Sequence, residues 1–575
     1  MLASRSFALI KYACVILFLF FTLLTQLTAC GGGSGGAGSA GGPVDSGNVG
    51  GTGLTCKTPT SPISVYRANA TANSQIDLYS ASITGSVVNK ITGTLQSMGN
   101  ATLYAISPNT AYVAYLADQD QDEVFELYVA CSDGSTVSKM SGSLVTNGDV
   151  QNLKWSPDSS MIAYLADQET DETVELYAVK LQSGIRSKVS GTLVSNGDVA
   201  GSHVINGQTE SFLWAPDSSA IAYTADQDTD GIYELYVSRA DGSSNIKVSG
   251  KGIQIFFGVS PDFKWSPDSK YIAYRVPQDV PGVYELYTST PDGKSNIKVS
   301  GKMVAGGQAE NSISLTNFFY FPVFKWSPDG SRIAYVADQE SDGVFELFTN
   351  TPDGANNQKV SLAPMGINGI RTFDWAPNST LLAYAADQGG IAINVFVTTP
   401  AATKNTQLSN ASTINGSAFS LHWRPDSQQL IYLADEENDT INNIYIVNAD
   451  ASNKQTIATP TANNFIQGYE WSPDGAYVAY WTDTVQFVGI NELYTSKPGG
   501  NLNVKVTGVM QGSYGLVTMF QWSPDSSRLV YVADQDVAYK QEMYTTTPDS
   551  SINIVKISGV LPLFANVGVD FMISN

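Results

Sequence analysis

The sequence predicts an all-β fold, a β-propeller of four-stranded antiparallel blades, about ten in number. Three observations predict it. One stretch recurs almost verbatim, as WSPDSSMIAYLADQ from Trp155, WAPDSSAIAYTADQ from Trp214, WSPDGSRIAYVADQ from Trp326 and WSPDSSRLVYVADQ from Trp522. Anchored on that site, the units start at Ile106, Trp155, Trp214, Trp265, Trp326, Trp375, Trp423, Trp471 and Trp522, a mean spacing of about 52 residues, in the range of solenoids and propellers. Within each unit the apolar runs are short and β-branched, and none keeps a helical period.

Each unit divides into strands A to D. Strand A ends at the Trp, which packs against a neighbouring blade. The Ser-Pro-Asp-Gly/Ser that follows is turn chemistry, since Pro presets φ and Asp bonds its own backbone two residues on. Asp158, Asp217, Asp268, Asp329, Asp426, Asp474 and Asp525 are therefore formers of the A-to-B turn before they are acids or bases. Strand B is the IAYVADQ type, strand C the GVFELF type and strand D the QKVS type, with C and D joined by SDG, ADG or PDG turns at Ser132, Ala240, Pro291 and Pro352.

The ends set the count. Val65-Tyr66, Ile76-Asp77-Leu78-Tyr79 and Lys90-Ile91-Thr92-Gly93 read as strands B, C and D without an A, and Val569-Asp570-Phe571-Met572 reads as an A alone. Together they make a tenth blade that closes the ring and removes its open edges. Two smaller interlocked rings are the alternative.

The start of the chain is different in kind. Arg5 and Lys11, the apolar run Ala13 to Leu24 and then Leu27-Thr28-Ala29-Cys30 resemble a bacterial lipoprotein signal, in which cleavage leaves Cys30 as the lipidated N-terminus. The resemblance implies a signal peptide over 1–29, palmitate-type lipid on Cys30, and an outer-membrane or cell-surface protein of the bacterial envelope, facing periplasm or exterior. An uncleaved anchor is the other reading of the same run. A Gly/Ser-rich tether belongs to the segment 30–61, and 62–575 is the propeller. Cys56 and Cys131 are the cysteines left over, a candidate disulfide or two separate thiols.

The WSPDG-type blades resemble the TolB-type propeller repeat, which also builds the propeller domains of dipeptidyl-peptidase-like enzymes, and the resemblance covers the chain from Ile63 onward. Ile106-Ser107-Pro108-Asn109 lacks the Trp, Trp423-Arg424-Pro425 lacks the Ser, and nothing resembles TolB's smaller domain. The fold hosts many activities, so the resemblance implies architecture and, more distantly, a role in envelope assembly or transport.

Thirty-one Lys and Arg against 53 Asp and Glu give a net charge of −22, which excludes a general affinity for nucleic acid. In a propeller the A-to-B and C-to-D turns share one side, and the B-to-C hairpins and D-to-A crossovers share the other. The second side carries the irregular segments and the acidic hairpins DQDQDE from Asp118, DQETDE from Asp167, DQDTDG from Asp226, DQESDG from Asp338 and DEENDT from Asp435. Asp226, Asp228 and Asp230 are the candidate Ca²⁺ ligands, Ca²⁺ being the one cofactor in view, although Val237 fills the twelfth position where an EF-hand needs Glu. The competing reading makes the first Asp of each hairpin a cap on strand B. Lys90, Lys139, Lys188, Lys247, Lys298, Lys359, Lys505 and Lys556 on strand D read as solvated edge charges.

Phe256, Phe257, Phe318, Phe319, Tyr320 and Phe321 in two long crossovers are the candidate partner-binding platform, with loop packing as the alternative. His203 and His422 are the only histidines, and no serine elbow or zinc spacing accompanies them. The resulting expectation is a lipid-anchored scaffold that binds a protein or a surface polymer through its acidic crossover face and meets the membrane only through its lipid. A hydrolase or lyase using carboxylates around the channel, or an auxiliary domain of a peptidase-like enzyme, is the alternative.

Overall fold

The computed structural model describes residues 54–574 except 70–74, 86, 97–98, 200–210, 251–252, 255–261, 310–322, 363–368, 388–391, 411–417, 437–441, 459–464, 484–490, 500–502, 512–515, 551 and 560–566. The described residues form ten antiparallel sheets in the order A-B-C-D, without a helix. Blade 1 takes strand A from Val567–Ile573 and strands B to D from Ile63–Ala68, Asp77–Ser82 and Val88–Lys90. Blades 2 to 10 are continuous in sequence, from Ala101–Ile106 as strand A of blade 2 to Val555–Lys556 as strand D of blade 10. In blade 4 a short extra strand, Ile253–Gln254, pairs with the start of strand C.

The seam is the one the chain ends predict. Ser64, Val65 and Tyr66 pair with Ile573, Met572 and Phe571, and the Ile63 amide donates to Ser574 Oγ at 2.8 Å. The arrangement is one ring. From blade 3 to blade 9 a tryptophan links each blade to the one before it, and strand A of blade 1 touches strand A of both blade 10 and blade 2.

Why these residues build blades is visible in blade 3. Strand B, Met161–Ala166, is almost wholly buried, as befits a strand covered on both faces. Tyr164 sits opposite Tyr177 of strand C and stacks on it at 5.5 Å, a pair worth about 0.5–1.5 kcal/mol beyond its buried area. Equivalent pairs occur in all ten blades, from Tyr66–Tyr79 in blade 1 to Tyr531–Tyr544 in blade 10. In blade 8 the pair is Tyr432–Tyr445, in blades 6 and 7 the second member is Phe348 or Phe396, and blade 9 uses Tyr480–Tyr494. The count therefore reaches every blade, and the pair marks the B-to-C register.

Two expectations need correcting. The strand D lysines are not solvated edge charges. Each of Lys139, Lys188, Lys247, Lys298, Lys359, Lys505 and Lys556 pairs with the buried or nearly buried Glu that opens strand C, as in Lys247 to Glu234 at 3.0 Å and Lys359 to Glu346 at 2.8 Å. Where a Tyr stands two residues on, it donates to the same carboxylate, as Tyr236 does to Glu234 at 3.0 Å, so that desolvated Glu has both its oxygens engaged. The crossovers are also more regular than expected. Gly148 and Gly197 make the same turn before strand A, with a Val N-terminal to them whose carbonyl accepts the glycine amide. A Cβ at Gly148 would lie 2.5 Å from the Asp167 carbonyl oxygen, so the residue is glycine because the backbones approach closely.

Candidate functional site

The turn side of the ring is occupied by its own architecture. Ser156 Oγ donates to Asp158 Oδ1 at 2.6 Å, the Ser160 amide donates to the same oxygen at 3.0 Å, and Ser159 takes the left-handed position with φ 63°. The Asp158 amide then donates to Ser218 Oγ of the next blade at 3.0 Å. Burial opposes ionisation of Asp158, but the donors on Ser156 and Ser160 outweigh it and hold the carboxyl below its usual range. Asp217, Asp268, Asp329, Asp474 and Asp525 behave alike. The repeated aspartate is a bracket for the turn and for the neighbouring blade.

On the hairpin side each residue of DQ-x has a separate duty. Asp167 caps its own crossover by accepting the Asp149 amide at 2.5 Å, and Asp149 accepts the Phe125 amide of the preceding blade at 2.7 Å. Gln168 accepts from the Gly142 amide of the preceding blade at 3.1 Å and from Tyr164 at 3.1 Å. The third residue meets the strand D lysine, as Glu169 meets Lys188 at 3.2 Å. Beyond these three positions, Asp122, Glu123, Glu172, Asp230 and Asp342 are exposed at the tips of the blade 2, 3, 4 and 6 hairpins.

The individual candidates separate accordingly. Asp226 is buried and takes amide donors on both oxygens, Asp198 at 2.5 Å and Gly231 at 2.9 Å. Asp228 is held by Lys247 at 2.8 Å, which also keeps its carboxyl below the usual range. Asp230 is exposed. The three do not converge, and among the described residues no group of His, Cys, Asp and Glu gathers as a metal site would require. Cys56 and Cys131 are joined by a disulfide that fixes the segment before the first strand to the end of strand C in blade 2. Cys30, His203 and the aromatic residues Phe256, Phe257, Phe318, Phe319, Tyr320 and Phe321 lie outside the described residues.

The channel wall holds residues that the motif reading passed over. In blades 4 to 9 the strand A indole N–H donates to the carbonyl of the residue before the preceding blade's Trp, as in Trp214 to Lys154 at 3.1 Å, Trp326 to Lys264 at 3.2 Å, Trp375 to Lys325 at 3.2 Å, Trp423 to Asp374 at 3.1 Å and Trp471 to His422 at 3.4 Å, whereas Trp522 in blade 10 has no acceptor. These residues therefore stand at one level of the ring. Lys325 and Asp374 pair at 2.8 Å, and His422 meets the edge of Tyr469 at 5.5 Å. Desolvation by the surrounding strands holds His422 below its usual value, with Asp374 pulling it up and Lys325 pushing it further down. The signal was in the sequence, one position before each Trp, but nothing in one unit says that this position faces a channel.

The geometry defines a ten-bladed propeller of TolB-like repeats. In comparison with known proteins, residues 323–556 match the TolB beta propeller domain family, PD40, and the same blade spelling recurs in the units before them. No curated protein sequence matches the chain. Similar solved structures include a eukaryotic initiation factor, 14% identical, covering 78% of this chain and 96% of that one at a TM-score of 0.45. Dipeptidyl peptidase 4 from Porphyromonas gingivalis is 13% identical over 71% of this chain and 59% of its own, at 0.45. A protein described as TolB from Agrobacterium tumefaciens is 14% identical over 44% and 81%, at 0.27.

Proposed function

We propose that the protein is a lipid-anchored scaffold of the bacterial envelope that binds a basic protein partner through the hairpin side of its ring. The observation that carries this reading is the division of labour in the hairpins. Cap and lysine partner are fixed to the frame, so the remaining tip carboxylates are displayed from rigid positions, as binding loops on a scaffold are. A partner with matching Lys and Arg would be steered by this field and lose affinity with salt. The anchor is supported by the n-region, apolar run and Cys30 of the first thirty residues.

Affinity capture from membrane extract, with wild type against Asp122→Lys, Glu172→Lys and Asp230→Lys combined, tests the surface. The expected result is a partner retained by wild type at low salt and lost by the variant, whose melting temperature is unchanged. Equal capture by both would reject the hairpin side. For the anchor, Cys30→Ser is expected to move the protein from the membrane to the soluble fraction.

A further inference from the structure

The boundary of blades 9 and 10 keeps the frame of the repeat on the hairpin side and changes what that frame displays. Asp534 accepts the Leu516 amide at 2.5 Å and the Tyr539 amide at 3.3 Å, Gln535 accepts the Gly508 amide at 2.8 Å, and Asp536 pairs with Lys556 at 3.4 Å. In blade 4, Asp226 and Gln227 make the corresponding bonds to the amides of Asp198, Gly231 and Gly191. The blade 10 hairpin and both ends of the crossover before it are thus tied to one Asp-Gln pair, which gathers Val509, Leu516, Val537 and Tyr539 around it.

Other blades are polar at those positions. Val509 stands where the crossovers after blades 1, 2, 3 and 5 have Thr94, Ser143, Thr192 and Lys302, and Leu516 stands where the same crossovers have Asn100, Asp149, Asp198 and Gln308. Val537-Ala538-Tyr539 replaces Thr170-Asp171-Glu172 of blade 3 and Thr229-Asp230-Gly231 of blade 4, while blade 5 shares only the valine, in Val280-Pro281-Gly282. The replacements face outward: Val509 is 75%, Leu516 37%, Val537 47% and Tyr539 72% exposed. Tyr539 also takes φ 62°, the left-handed position that Gly231, Gly282 and Gly343 fill without steric opposition. A bulky ring held there and turned to solvent serves something other than the hairpin, which forms in the other blades without it.

We infer that Val509, Leu516, Val537 and Tyr539 form an apolar anchor point whose occupant is a cationic amphipathic segment of a protein partner, its aliphatic residues seated on this patch and its Lys or Arg directed at the surrounding carboxylates. The inference rests on the hairpin side being the docking side and names what docks there. Exposed apolar surface inside a polar rim marks an interaction site, and an aromatic ring fixed by its own backbone is the kind of residue that carries binding energy. Charge selects among occupants. Asp536 is exposed on the same hairpin, Asp122, Glu123 and Glu172 are exposed on the same side of the ring, and the chain carries −22. An anionic lipid surface or a second copy of this chain is repelled by that field, whereas a cationic segment is drawn in.

Titration calorimetry with the peptide LKKLLKLLKKLLKL and with its counterpart carrying Ser for every Leu tests it. Wild type is expected to bind the Leu peptide about tenfold more tightly than the Ser peptide. Val509→Thr, Val537→Thr and Tyr539→Gly combined return three positions to residues the repeat uses elsewhere; this variant is expected to melt no lower than wild type, to lose the preference for the Leu peptide and to keep its affinity for the Ser peptide. The combined Asp122→Lys, Glu172→Lys and Asp230→Lys variant weakens both peptides and keeps the preference. An unchanged preference in the triple apolar variant would overturn the anchor while leaving the acidic tips standing, and loss of the preference there with no effect of the lysine variant would keep the anchor and reject the tips. Equal affinity of wild type for the two peptides would overturn the inference, as would wild-type binding to phosphatidylcholine vesicles, or a wild-type dimer in sedimentation velocity, that the triple apolar variant lacks.

Discussion

The junction between blades 2 and 3 and the junction between blades 10 and 1 solve the same packing problem differently. Between blades 2 and 3, Trp155 Nε1 donates to Ala105 O at 3.0 Å, the Asn109 amide to Ser159 Oγ at 2.9 Å, and the Gly142 amide to Gln168 Oε1 at 3.1 Å. Between blades 10 and 1 none of these three bonds forms among the described residues. Ile573 stands where the Trp would be, and the Tyr66 hydroxyl, whose counterparts meet the Gln, is buried without a partner. An apolar cluster of Tyr66, Val530, Val532, Met543, Phe571 and Ile573 holds that junction instead. Polar latches fix the orientation of blades made in sequence, while at the seam the strand pairing inside blade 1 does the closing and the contact with blade 10 need only exclude water.

The comparison is broken most severely by attacking that closure. Phe571→Ala removes a buried ring from the closing strand and is expected to cost about 3–5 kcal/mol, measured by chemical denaturation. Hydrogen exchange should then rise first in 63–82, and uniform loosening of all blades would contradict the seam. Next comes the Glu175→Gln change in blade 3, which removes the buried partner of Lys188 and leaves it only the exposed Glu169, and is expected to cost about 1–2 kcal/mol.

A sharper contrast uses one substitution at two places. Trp155→Phe loses the bond to Ala105 and is expected to cost about 1 kcal/mol more than Trp522→Phe, which removes an N–H that bonds nothing. Equal costs would mean that the latch contributes no stability. Smallest is the pH effect. The turn aspartates titrate below their unfolded value, so their contribution is complete above about pH 4 and is lost as pH falls through the folded pKa. Asp158→Asn together with Asp329→Asn should flatten that acid limb without altering stability differences between pH 6 and 8.

The repeat made the fold legible because each blade states the same local rules: Pro and Asp at the turn, short continuous apolar runs in strands B and C, and complementary fragments at the ends. Turn aspartates could be told from acids because they recur. The Glu of ELY was harder to read, since its burial depends on a lysine 13 residues away and on a tyrosine hydroxyl, and a charged residue opening a strand looks solvated in isolation. The contact of Trp481 in blade 9 with Phe520 in blade 10 was not legible, because it arises between blades and departs from the repeat. Whether a tryptophan has an acceptor depends on the backbone of the preceding blade, which lies about fifty residues earlier in sequence.

The closing strand has a consequence for biogenesis. Ile63 and Ser574 meet across 511 positions, so the inner edge of the first blade must wait for residues made last. At synthesis rates of about 5–20 residues per second that delay is on the order of 25–100 s, during which a row of unpaired backbone amides and carbonyls is open to any passing strand. Export of the chain before that edge is covered would keep it away from cytosolic competitors, and a holding chaperone on the far side would then have one defined segment to guard.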